Sequence, residues 1–146
     1  MNELNAKEIT RSWTCPRCGA QLSAPEEPHD CGLYSESTLF SSGEPQVYDL
    51  YRSFKELVKQ GGYTQVFPMR TKIDFVSGST FVTVIPEKDH LTVTFLFREP
   101  DRSPRFTRIE QAGPGEWLHA VRVDREGDFD AEFNGWLERA RGSVTS

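Results

Sequence analysis

Cys15, Cys18, His29 and Cys31 are the residues whose types and spacing imply the most definite chemistry. They lie in Trp13-Thr-Cys-Pro-Arg-Cys-Gly and His29-Asp-Cys-Gly32, and they include all three cysteines of the chain. Three thiols and an imidazole are a donor set for one tetrahedral zinc ion. Cys-x-x-Cys is the usual first half, because a tight turn brings both thiolates to one side of the backbone. Pro16 stiffens that turn, and Gly19 lets the chain fold back over the metal. The second half, His29-x-Cys31, is shorter than the common spacings, but residues two apart on an extended backbone point to one face. Four protein ligands leave no position open for a catalytic water, so the zinc is expected to be structural.

Three other readings compete. A disulfide leaves one of three cysteines over, and the N-terminus lacks the basic region and apolar run of a secretory signal. A thiol redox site is suggested by Trp13-Thr-Cys-Pro-Arg-Cys, which is similar to thioredoxin-type motifs. Those motifs follow a strand of a βαβ unit, and nothing before Trp13 reads as a strand. The last reading is that Cys and His are incidental to a polar arm. The spacing favours zinc.

The elements that must carry this site are legible in the hydropathy pattern. Val47, Leu50, Tyr51, Phe54, Leu57 and Val58 form one apolar stripe, which predicts a helix near Pro45–Gln60. Pro45 suits its first turn, and Gly61-Gly62 stops it. Strands are expected at Tyr63–Pro68, Thr71–Val76, Thr80–Ile85, Leu91–Phe97, Arg105–Glu110 and Trp117–Val123, from their β-formers and from turns such as Ser77-Gly78-Ser79. A closing helix is expected at about Phe129–Arg141, with Asp128 as its N-cap and Gly142 as its C-cap. The fold class is therefore α+β. An N-terminal zinc knuckle precedes a helix, a five- or six-stranded, mostly antiparallel sheet and a C-terminal helix, with both helices on one sheet face. The other face carries threonines and charges, and is either solvated or a ligand surface.

Along the chain this gives a flexible N-terminus (1–12), a zinc-ribbon-like knuckle (13–33), a connector (34–44), an α/β domain (45–142) and a flexible tail (143–146). Leu39 and Phe40 in the connector are placed to tuck onto the main domain. A length of 146 residues suits one such domain plus a small appendage. Net charge is −5, which does not advertise general nucleic-acid binding. No apolar run approaches a membrane span, and the expectation is a soluble cytoplasmic protein.

Several of these residues recur together. Trp-x-Cys-Pro-x-Cys-Gly, His-x-Cys-Gly, Leu50-Tyr51, Thr71-Lys72-Ile73, Pro104-Arg105-Phe106, and His119 ahead of Trp136-Leu137-Glu-Arg-Ala140 stand in the order found in a bacterial family. The chain resembles the domain-of-unknown-function family numbered 5655, in the form with a zinc-ribbon-like N-terminus, from about Trp13 to Ala140. More loosely it resembles YdhG-like α/β domains, some of which are described as frataxin-like iron chaperones. The resemblance implies helices flanking an antiparallel sheet and no established activity. Asp49 and Glu56 stand isolated among Arg52, Lys55 and Lys59, so the first helix lacks the acidic ridge that iron handling needs.

Lys72, Lys88 and Arg105 are the cations that match the family, and His119 shares strand parity with Trp117, Val121 and Val123. His119 is either a hydrogen-bonded core histidine or a polar group at the edge of a pocket. The cations are either a solvated, ion-paired surface or an anion site that holds phosphate or carboxylate. No nucleophile motif or triad spacing accompanies them. The residues thus point to a non-enzymatic module that binds a macromolecule, protein or nucleic acid. The alternatives are an anionic small-ligand or enzymatic domain using Lys72, Lys88, Arg105 and His119, and a protein that handles iron or zinc.

Overall fold

The structure is a computed structural model. It describes residues 13–14, 21–22 and 35–145. The first described elements are two short strands, β1 (Trp13–Thr14) and β2 (Gln21–Leu22), which pair antiparallel. A one-turn helix follows, α1 (Glu36–Leu39), capped by the Ser35 hydroxyl, which accepts the Thr38 N–H. This turn lies where a connector was expected. It forms because Phe40 buries its ring against Tyr48 and Tyr51, with centroids 5.2 and 4.9 Å away. The Glu36 carboxylate also accepts the Tyr51 hydroxyl and the Lys55 ammonium.

Helix α2 spans Pro45–Gln60 and buries Val47, Leu50, Tyr51, Phe54 and Val58, the stripe read from the sequence. Pro45 opens it without loss of a hydrogen bond. The Glu44 N–H ahead of it donates to the Lys88 carbonyl at 2.8 Å.

Six strands follow: β3 (Gln65–Pro68), β4 (Ile73–Ser77), β5 (Ser79–Pro86), β6 (Leu91–Phe97), β7 (Phe106–Gly113) and β8 (Glu116–Val123). They form one antiparallel sheet in the order β3-β4-β5-β6-β8-β7. Residues paired across strands share a face. Phe75, Val82, Phe95 and His119 therefore lie in one row, and Ile73, Val84, Val93 and Val121 in the next. Both rows are buried. A bulge between Phe75 and Val76 adds Phe81 to the buried set beside Val82. Gly78 makes the β4–β5 turn at φ +84°, a conformation that disfavours any side chain.

Helix α3 spans Ala131–Thr145. It starts later and ends later than its pattern suggested. Phe129 belongs to the preceding stretch, behind a 3₁₀ turn at Glu126–Asp128. Asp130, not Asp128, caps α3 by accepting the Phe133 N–H at 3.0 Å. The Asp128 carboxylate instead accepts the N–H of Asp124 and Arg125. Gly142 does not end the helix. Ser143 donates to the Leu96 carbonyl at 3.1 Å and Val144 packs on the core, so tertiary contact carries α3 past the glycine.

Both helices cover the same sheet face. Phe54 of α2 meets Phe75 at 5.3 Å and Phe133 of α3 at 6.0 Å, both edge-on, and Phe133 meets Phe95 at 5.3 Å. Such pairs contribute about 0.5–1.5 kcal/mol each beyond their buried area. The helices run the same way along the sheet, since Phe133 sits beside Phe54 and Arg141, further on, reaches Val58.

Candidate functional site

The β1–β2 ladder pairs Trp13 with Leu22 and Thr14 with Gln21. The stretch between the two strands, residues 15–20, contains both cysteines of the Cys-x-x-Cys and lies outside the described residues. By its chemistry, a set of three thiols and one imidazole suits zinc. Cys15, Cys18, His29 and Cys31 themselves lie outside the described residues. Among the described residues, no group of three or more His, Cys, Asp or Glu is placed to hold a metal.

His119 sits on the helix-covered face with no exposed surface. Its ring packs 4.5 Å from Phe97 and 4.9 Å from Phe106. Nδ1 lies 3.1 Å from the Trp117 carbonyl, and Nε2 accepts the Asp101 N–H at 2.8 Å. Burial lowers its pKa, helped by the Arg139 cation and opposed by the hydrogen bond to Trp117 and by the Asp101 carboxylate. This is a satisfied core histidine with no face left for a ligand. Its Asp101 partner is clamped in turn: Oδ2 accepts Arg139 Nη1 at 2.8 Å, and Oδ1 accepts the Ser103 N–H at 3.0 Å.

Arg105 is similarly occupied. Its guanidinium donates to Asp130 and Glu132 at 2.9–3.0 Å and to the Asp128 carbonyl at 3.0 Å, and lies 4.9 Å over Trp136. Burial pulls its pKa down, but the two carboxylates outweigh that and raise it. Asp130 is held low, first by the Phe133 N–H and then by Arg105. Lys72 lies just ahead of β4, its Nζ 3.7 Å from Asp74 Oδ1. Asp74 pairs with Thr83, which pairs with Thr94, on the face opposite His119. Lys88 lies in the β5–β6 turn, against the start of α2. The four residues proposed for an anion site therefore do not share a cleft: His119 is sealed under the helices, and Lys72 stands on the other side of the sheet.

Among the described residues, no helix lies on that other side. Its central rows carry Phe67, Asp74, Thr83, Thr94 and Ala120, then Ile85, Thr92 and Arg122, then Leu96, Leu118 and Glu110. Asp74 is the buried polar group here. It accepts the Thr83 hydroxyl at 2.9 Å under the Lys72 ammonium. On the helix side, an open groove of about 540 Å³ lies between the C-terminal ends of α2 and α3, beside Leu57, Leu137 and Arg141. None of the four expected ligand residues lines it.

Sequence reasoning missed Glu36, Asp101 and the reach of Arg139 and Arg141. Glu36 and Asp101 sit in non-periodic segments, where the pattern of apolar residues carries no information about partners.

The architecture defines a two-layer α+β domain with a short hairpin ahead of it. The model of the family described as Domain of unknown function (DUF5655) matches residues 36–141, and the chain belongs to that family. The match begins at α1, not at α2, in keeping with the packing of Glu36 and Phe40. Comparison with curated proteins and with solved structures returns no match. No helix among the described residues is long and apolar enough to cross a membrane.

Proposed function

We propose that this protein is a non-catalytic binding module, carrying one structural zinc ion at Cys15, Cys18, His29 and Cys31, that engages a protein partner. One observation carries the reading: the four residues expected to build an anion-binding cleft do not converge, and two of them are engaged within the fold. His119 has both ring nitrogens occupied by the backbone, and Arg105 is held by Asp130 and Glu132. What the uncovered sheet face offers is a β-surface of half-buried threonine and aliphatic side chains. A net charge of −5, with Glu26, Glu27 and Asp30 beside the zinc ligands, favours a protein over nucleic acid as partner. Thiolate ligands are kept intact by a reducing compartment, which fits the cytoplasm.

The test has three arms. Elemental analysis of the purified chain should find one zinc per molecule, and the Cys18→Ser variant should have lost it. Amide NMR spectra of the zinc-loaded protein should then stay unmoved when short mixed-sequence DNA or RNA is added at moderate salt. A photo-crosslinker placed at Thr94 should form a discrete protein adduct in cells that Leu118→Arg abolishes, while one placed at Arg52 should not. Shifts with either nucleic acid on the hairpin or the open face would replace the protein partner with a nucleic acid. A zinc-free native chain would remove the metal.

A further inference from the structure

The hydrogen bonds around His119 prescribe its protonation state. A carbonyl oxygen only accepts, so Nδ1, 3.1 Å from the Trp117 oxygen, carries the proton. A backbone amide only donates, so Nε2, 2.8 Å from the Asp101 nitrogen, is bare. The ring is neutral in that geometry, and one lone pair of a buried imidazole is the sheet's hold on Asp101.

Asp101 is the centre of the loop at residues 98–105, which joins β6 to β7. The loop meets α3 through Asp101 on Arg139, the Glu99 carbonyl on Arg139 at 3.4 Å, and Arg105 on Asp130 and Glu132. Arg139 itself stacks 4.2 Å over Phe97. His119 is therefore the point where strand β8 locks a loop that otherwise belongs to α3.

We propose that His119 is a proton-operated latch: a proton taken from solvent onto Nε2 turns the acceptor of the Asp101 N–H into a donor, breaks that bond, and frees the β6–β7 loop while the sheet and helices stay folded. Two N–H groups cannot face each other at 2.8 Å, so the protonated ring and the seated loop exclude one another. The groups around the ring set where this happens. β6 presents Phe97, β7 presents Phe106, and α3 presents Trp136 beyond Phe106, none of which carries charge. The loop presents the Asp101 carboxylate, which favours the imidazolium, and α3 presents Arg139, which opposes it and already holds that carboxylate. The latch is therefore closed at neutral pH and opens in acid, below the ordinary imidazole value of about 6.5.

The experiment is an NMR titration of the full chain from pH 7.5 to pH 5. Imidazole nitrogen spectra at pH 7.5 should show Nδ1 protonated and Nε2 bare. On acidification, the Asp101 and Ser103 amides should shift and lose order with the His119 midpoint, while Val66, Phe75 and Val84 stay in place. His119→Gln keeps an acceptor without a titrating proton and should abolish the transition. Arg139→Gln removes the opposing cation and releases Asp101, so it should move the midpoint to higher pH; this variant keeps the test open if His119→Gln does not fold. An Nε2–H tautomer at neutral pH would overturn the latch. So would loop amides unmoved through the His119 midpoint, a transition surviving in His119→Gln, a midpoint unchanged in Arg139→Gln, or collapse of the whole spectrum at the same midpoint.

Discussion

Arg141 of α3 donates from Nη2 to the carbonyl of Val58 in α2 at 2.7 Å, so the last turn of one helix is capped by a side chain of the other. The same guanidinium donates to the Tyr63 carbonyl at 3.0 Å and to the Thr64 hydroxyl at 2.8 Å, and stacks 4.7 Å over Phe81 of β5. Helix ends leave carbonyls without intrahelical partners, and a cation is a favourable partner for them. One residue thereby joins both helices, the chain leaving α2, and the sheet beneath.

Arg141→Met keeps much of the stem and removes the donors. The Val58 carbonyl then keeps only the Gly61 N–H, and the Tyr63 carbonyl and Thr64 hydroxyl lose this donor, at a cost of about 1–2 kcal/mol. Urea unfolding should show a lower midpoint with an unchanged slope. A midpoint equal to that of the parent would mean that these bonds are replaced by hydration at no cost.

Phe133 has no exposed surface and touches Phe54, Phe95, Phe129 and Trp136. Phe133→Ala should destabilise the domain by about 3–5 kcal/mol, because the aromatic cluster around it cannot close over the lost ring. The exposed Glu138→Ala on the same helix should stay within about 0.5 kcal/mol. Equal effects from the two would contradict the packing described for α3.

A chain starting at Ser35 should keep the stability of the α+β domain, whereas one starting at Pro45 should not. The second loses Phe40 from the core and leaves the Tyr51 hydroxyl without Glu36. Tyr51 is buried, and burial, then the Glu36 hydrogen bond, raises its pKa. Loss of the Phe40 ring alone should cost about 3–5 kcal/mol. Thermal unfolding of the two truncated chains distinguishes them, and equal melting temperatures would return α1 to the status of a connector.

Cys18→Ser should release zinc and alter only amide signals before residue 35, because the buried core among the described residues runs from Phe40 to Ala140. Paired zinc analysis and amide spectra provide the check. Widespread shifts across β3–β8 would show that the hairpin is part of the core.

Acid should destabilise the fold through His119. Its folded pKa lies below the unfolded value, so between the two the unfolded chain binds more protons than the folded one. The neutral ring's contribution is therefore complete above about pH 6.5 and is lost as pH falls toward the folded pKa. Urea midpoints at pH 7.5 and 5.5 should differ, and the difference should shrink in His119→Gln. An undiminished difference in that variant would assign the acid sensitivity to other groups.

The order of helices and strands from α2 onward, the span Pro45–Gln60 of α2, the strand Leu91–Phe97 and the antiparallel plan were legible in the sequence, because each rests on a local period of apolar residues. His119 shares parity with Val121 and Val123, but only the fold decided between a core histidine and a group at the edge of a pocket. The limits of α3 were not legible. Its start depends on which of two aspartates reaches an N–H, and its end on Ser143 meeting Leu96 across the sheet. Nor could one chain position announce that Arg105 is spent on Asp130 and Glu132, or that Glu36 seats a helix turn on Tyr51 and Lys55. Hydropathy decides which side of a strand or helix turns inward, since that is a short-range property of spacing. The partners of a charge are decided by residues far along the chain that only folding brings within 3 Å, and tertiary structure alone turned His119 and Arg105, two of the expected ligand residues, into fastenings of the fold.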